Sequence, residues 1–192
     1  MSNALPSNTM LGAHFSAGEM GADNTEITSA AVGNLRSVLV PALEKFRVLL
    51  GAPLIITSGY RTPTHNEQVG GSATSDHPNG LGADFIPQGV SLYDAYEKLA
   101  KANSQGQLPA FDQLIYYPAD KHIHLGMGSR MRKQVLVKIG ESYQPIINDV
   151  GGAVLQGADA VKHLATAAAK TGAAHPLILV AVVGGVILWA IA

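Results

Sequence analysis

Apolar side chains recur at three- or four-residue spacing between Thr28 and Leu50: Val32, Leu35, Leu39, Leu43, Phe46 and Leu50. This period predicts a helix with one buried stripe. Pro41 lies inside it and predicts a break or kink, because proline removes a backbone donor and its ring crowds the preceding turn. Gly51 and Pro53 mark the exit. The pattern then shortens. Leu54-Ile55-Ile56-Thr57 reads as a strand ended by Ser58-Gly59, and Gly82 to Ile86 as a second, stopped by Pro87. Leu92, Ala95, Tyr96 and Leu99 return to helical spacing and predict a helix from Leu92 to Ala102. Phe111 to Tyr117 and His122 to Leu125 predict two strands joined by the turn Pro118-Ala119-Asp120-Lys121. Strands and helices in this order, without strict βαβ alternation, predict an α+β domain with a small, mostly antiparallel sheet flanked by helices.

Outside this zone the pattern changes. Residues 1–13 are rich in Ser, Asn, Pro and Gly and predict a flexible segment. The globular domain is expected over 14–140 and a helical linker over 141–170, where Ile147, Val150, Val154, Ala158, Val161, Ala165 and Ala168 form a weak stripe. From Leu177 to Ala192 the chain reads LILVAVVGGVILWAIA. That run predicts a transmembrane helix over 171–192, with a buried core helix as the other reading. Gly184-Gly185 suits close helix contact, Trp189 suits an interface, and Lys162 and Lys170 suit a cytoplasmic flank. The N-terminus has no basic segment followed by an apolar core, so no cleavable export signal is expected.

Composition narrows the chemistry. The net charge of −1 gives no reason to expect nucleic acid as a partner. Without cysteine, a bound metal must use His, Asp or Glu. His77 and Asp84 stand seven residues apart with glycines between, and His122-Ile123-His124 puts two imidazoles on one face of a strand. Two His and one carboxylate with an open position is a hydrolytic zinc set, and His77, Asp84 and His124 are its candidates.

Six stretches between His14 and Gly128 resemble the zinc D-Ala-D-Ala carboxypeptidase family, whose fold is shared with the hedgehog signalling domain. They are most similar to its phage and small cell-wall peptidase branch. In order they are His14-Phe15-Ser16-Ala17-Gly18-Glu19-Met20; Ser58-Gly59-Tyr60-Arg61; Asn66 with Val69-Gly70-Gly71-Ser72; Ser75, His77, Gly80 and Asp84; Phe111 to Ile115; and Ile123-His124-Leu125.

The resemblance implies Zn2+ on His77, Asp84 and His124. It implies Arg61 as the residue that meets a substrate carboxylate or an oxyanion. Asn66, Gly70, Gly71 and Ser75 are expected along the substrate, and Asp112 and Gln113 behind the ligands. Many relatives carry an acid three residues before the last His, where this chain has Lys121, so His122 and Asp120 are both candidates for the general base. The implied partners are peptidoglycan peptides and, through 171–192, a lipid membrane. A membrane-anchored hydrolase without an export signal suggests the virion membrane of a membrane-containing phage, alongside other virion proteins, or else the bacterial inner membrane. A peptidoglycan-docking structural protein is the competing reading.

Overall fold

The computed structural model describes residues 2–145 and the backbone of two later segments, Ile178–Val183 and Val186–Ile191. The first long helix forms in three parts: α1 (Ser29–Asn34), a π turn (Leu35–Leu39) and α2 (Val40–Leu50). Thr28 caps the start by accepting the Ala31 N–H, and Gly51 ends it in the left-handed conformation at φ 67°. The break expected at Pro41 takes the form of the π turn just before it. The Val40 N–H bonds to Leu35 O, one residue further back than in an α-helix. The wider turn accommodates the proline without ending the helix.

The strands β1 (Leu54–Ser58), β2 (Gly82–Pro87), β3 (Gln113–Tyr117), β4 (His122–Gly126), β5 (Gln134–Ile139) and β6 (Ser142–Pro145) form one mixed sheet in the order β1-β2-β4-β3-β5-β6. All neighbours are antiparallel except β3 and β5. Two short helices, α3 (Pro63–Gln68) and a 3-10 turn (His77–Asn79), lie between β1 and β2, and α4 (Leu92–Ser104) follows β2.

Period-two alternation gives the sheet two chemically different faces. Ala83, Phe85, Leu114, Tyr116, Ile123, Leu125, Val135 and Val137 enter a core shared with α2 and α4. There the Phe46 and Phe85 rings meet edge to face at 6.2 Å, and Tyr96 donates from α4 to Leu136 O at 2.8 Å. Each such ring contributes about 1.5–3 kcal/mol by leaving water. The opposite face carries Asp84, His122, His124, Gln113, Ile115, Tyr117, Gln134, Leu136 and Lys138 and floors an open cleft.

Three expectations change. Of the expected flexible stretch 1–13, the described residues 2–13 are not loose. Leu5 N–H bonds to Ala22 O, Thr9 O accepts from Ala17, and Leu11 N–H bonds to Phe15 O, so the segment is pinned by backbone bonds that its polar composition does not reveal. The sheet runs past residue 140, because Ser142–Pro145 pairs with β5 as a strand where a linker helix is expected. Within the expected transmembrane helix, the described segments Ile178–Val183 and Val186–Ile191 are two antiparallel strands in register, Val180 opposite Trp189. Their Val and Ile content favours extended backbone, and the intervening Gly-Gly is a poor helix sequence. No described helix is long and apolar enough to cross a membrane. The rest of the expected linker and anchor lies outside the described residues.

Candidate metal centre

Strand pairing assembles the cluster. Asp84 on β2 sits directly opposite His124 on β4, so their side chains project side by side from the cleft face. His77 arrives from the 3-10 turn, whose exit is Gly80 at φ 67°, a position where a Cβ would overlap the Ala31 carbonyl. His124 Nδ1 lies 2.7 Å from Asp84 Oδ1, and His77 Nε2 lies 3.3 Å from both of those atoms. Among the described residues, only these three form a group whose ligand atoms all lie within 4.8 Å of one another.

The chemistry of these donors fits a tetrahedral cation. With metal–ligand bonds near 2.0–2.1 Å, two tetrahedral ligand atoms stand about 3.3 Å apart. Two of the three edges here have that length, and the third is at hydrogen-bond distance. His77 is prepared for the role by its surroundings. Its Nδ1–H donates to Gly59 O at 2.7 Å, which leaves the Nε2 lone pair facing Asp84 and His124. Burial lowers the His77 pKa below the ordinary imidazole value despite the nearby carboxylate, so the ring is neutral. Burial raises the Asp84 pKa, but the neighbouring histidines, His124 foremost, outweigh it and hold the carboxyl far below the usual range. The site thus brings two ring nitrogens and one carboxylate oxygen to one point.

Arg61, expected to meet substrate, donates through Nη2 to Asp84 Oδ2 and through Nε to Ser58 Oγ at 2.7 Å, and it lines the cleft. His122 projects beside His124, with Nε2 3.9 Å from Asp84 Oδ1. Its ring stacks on Tyr117 at 4.5 Å, and its Nδ1 faces Asp120 O at 3.4 Å. The Asp120 side chain is exposed at the cleft rim, and its backbone rather than its carboxylate meets His122.

Gly70, Gly71 and Ser75 line the cleft, and Ser75 Oγ accepts the His77 N–H at 3.3 Å. Asn66 is buried behind that wall, where its Nδ2 donates to Ser72 O at 3.0 Å and Gly71 passes against its amide. Gln113 lines the cleft and bonds Gln134 at 3.1 Å. Asp112, expected behind the ligands, is fully buried and instead holds Arg130 and Arg132. The sequence reading overlooks both arginines as well as Lys138 and Tyr143, all of which line the cleft. Arg130-Met131-Arg132-Lys133 is a visible basic run, but nothing local to it shows the distant carboxylate that aims it.

The cleft encloses about 690 Å³, is open to solvent, and has room for several residues of an extended peptide. The Peptidase M15 family profile matches residues 13–126, which include all three cluster residues together with Arg61 and His122. No curated protein matches the chain.

Proposed function

The chain belongs to the Peptidase M15 family, and from that premise we propose that it is a zinc-dependent peptidase acting on the stem peptides of peptidoglycan. The observation that carries this reading is the convergence of His77 Nε2, Asp84 Oδ1 and His124 Nδ1 on one point of a peptide-sized cleft.

His77, Asp84 and His124 would hold the zinc, which when bound supplies a Lewis acid and lowers the pKa of water to about 7. The remaining steps belong to the chain. The Gly59 carbonyl holds His77 in one tautomer, and Arg61 holds the outer oxygen of Asp84. With Nδ1–H directed to Asp120 O, His122 presents Nε2 to the reacting region as a proton acceptor. It later returns that proton to the leaving amine. Stacking on Tyr117 limits rotation of the ring. In this reading His122 takes the place of the acid that Lys121 replaces.

Purified cell walls and zinc analysis test the proposal. The wild type is expected to clear wall suspensions and release peptides, identified by mass, with about one zinc per chain. His77→Ala should lose both zinc and activity. Equal clearing by the two proteins would remove the zinc mechanism, and clearing by neither would favour a docking role.

We further propose that the apolar run from Leu177 to Ala192 attaches the enzyme to a lipid membrane, within the particle of a membrane-containing phage. Composition alone supports this. The full chain should float with phospholipid vesicles, and Leu179→Lys with Leu188→Lys should sediment. Presence only in lysed host cytosol and never in purified particles would remove the phage assignment.

A further inference from the structure

We propose that Arg130 and Arg132 form a subsite for a free carboxylate of the peptide substrate, two or three residues from the cleaved bond. The inference rests on the peptidase reading above and adds a feature of the substrate to it. Both arginines lie beyond the family-matched residues 13–126, in the loop that leads to β5.

The pair is built around a buried acid. Asp112 is fully buried; it accepts hydrogen bonds from Arg132 Nε at 2.8 Å, Arg132 Nη2 at 2.7 Å and the Arg132 backbone N–H at 3.2 Å, and forms an ion pair with Arg130 Nη2 at 2.9 Å. Arg130 Nη2 also donates to Thr74 O at 3.2 Å and lies 3.7 Å from Asp76 Oδ1. These bonds use Nε and Nη2 of Arg132 and Nη2 of Arg130. Among the described residues, neither Nη1 group has a partner. The two side chains remain 37% and 38% exposed, and both face the cleft. A carboxylate held inside the fold thus fixes two guanidiniums and leaves donors pointing outward. That arrangement suits an incoming anion with two oxygens.

Backbone strain marks the same loop. Among the described residues, three that are not glycine have positive φ: Lys121 at 55°, Met131 at 47° and Lys133 at 53°. Met131 and Lys133 bracket Arg132. Such conformations cost free energy and persist where the surroundings enforce them. Here they turn consecutive residues so that Arg130 and Arg132 reach the same acid.

Charge and distance complete the case. Arg130 and Arg132 line this part of the cleft and stand against Asp76 and the enclosed Asp112. The Asp112 N–H bonds to Gly126 O, two residues after His124 on β4. Strand rise puts the pair on the order of 7–10 Å from the metal cluster, the length of two or three extended residues.

The test uses the full chain loaded with zinc and two synthetic stem peptides. Each has a lysine at the third position and an amidated C-terminus. They differ only at the α-carboxyl of the γ-linked glutamate, which is free in one and a carboxamide in the other. Binding is read by fluorescence anisotropy in the cold, with mass spectrometry verifying intact peptide. The acid should bind roughly tenfold tighter or more. Arg130→Gln, which keeps the Arg132–Asp112 pair and should remain folded with a lower melting temperature, should erase that preference while still binding the amide. Equal binding of the two peptides by the wild type overturns the subsite whatever the activity. A preference retained by folded Arg130→Gln overturns it as well. Acid preference without any cleavage of cell walls would instead remove the peptidase reading and leave the subsite standing.

Discussion

Single atoms decide the state of the cluster. The Gly59 carbonyl selects the His77 tautomer, and glycine is required there because a Cβ would overlap the backbone of Met20. Gly59→Ala should therefore shift that carbonyl and weaken zinc retention without touching a ligand. A drop in affinity of about 10- to 100-fold is expected, read by competition with a chelating dye. His122 permits a complementary experiment. His122→Gln keeps the polar contact but not the proton acceptor. It should lower kcat by about 10²–10⁴ and leave zinc content at the wild-type level. Loss of zinc in that variant would make His122 a supporting residue rather than a base. The three cluster positions were legible in the sequence because a His–Gly–Asp stretch and period-two alternation are local signals, and the family resemblance joined them. The role of Asp112 was not, since its partners lie 18 and 20 residues further along and no local pattern joins them.

At the scale of elements, legibility followed hydrophobic periodicity. The helix over 28–50, the strands at 54–58 and 82–87 and the hairpin around Asp120 were all marked by it. α3 was not, because Pro-Thr-His-Asn-Glu-Gln is polar on every side and gives no stripe. It is held instead by its ends, with Pro63 in the first turn and Thr62 accepting the His65 N–H at 3.1 Å. Thr62→Ala should cost about 1 kcal/mol in urea unfolding. It should also loosen the Asn66–Ser72 tie that fixes the Gly70-Gly71 wall. β5 escaped for another reason. Its Val135-Leu136-Val137 core joins the sheet parallel to β3, and parallel pairing carries no hairpin signal.

For the molecule as a whole, the buried Asp112 ties the loop after β4 to the sheet. The Arg132 side chain, against some cost of burial, holds the Asp112 pKa below its ordinary value, with Arg130 adding to the effect. A carboxyl whose folded pKa is depressed stabilises the protein above its unfolded pKa, near 3.9, and that contribution is lost as pH falls towards the folded value. Melting temperature should accordingly fall below about pH 4. Asp112→Asn should be less stable than the wild type at pH 7 by about 3 kcal/mol, and the gap should narrow at low pH. A constant gap across that range would assign the stability to packing rather than charge.

The pinned N-terminal segment has a practical consequence. Residues 16–22 form a backstop to the centre: the Tyr60 N–H bonds to Met20 O, and Gly21 leaves no room for a side chain against Tyr60. That backstop is in turn braced by Leu5, Ser7, Thr9 and Leu11, all upstream of the family-matched residues 13–126. A version trimmed to the family boundary would keep every ligand and still lose the brace. It should melt earlier and bind zinc more weakly than the full chain, so the catalytic unit of this protein begins before the point at which its kinship becomes recognisable.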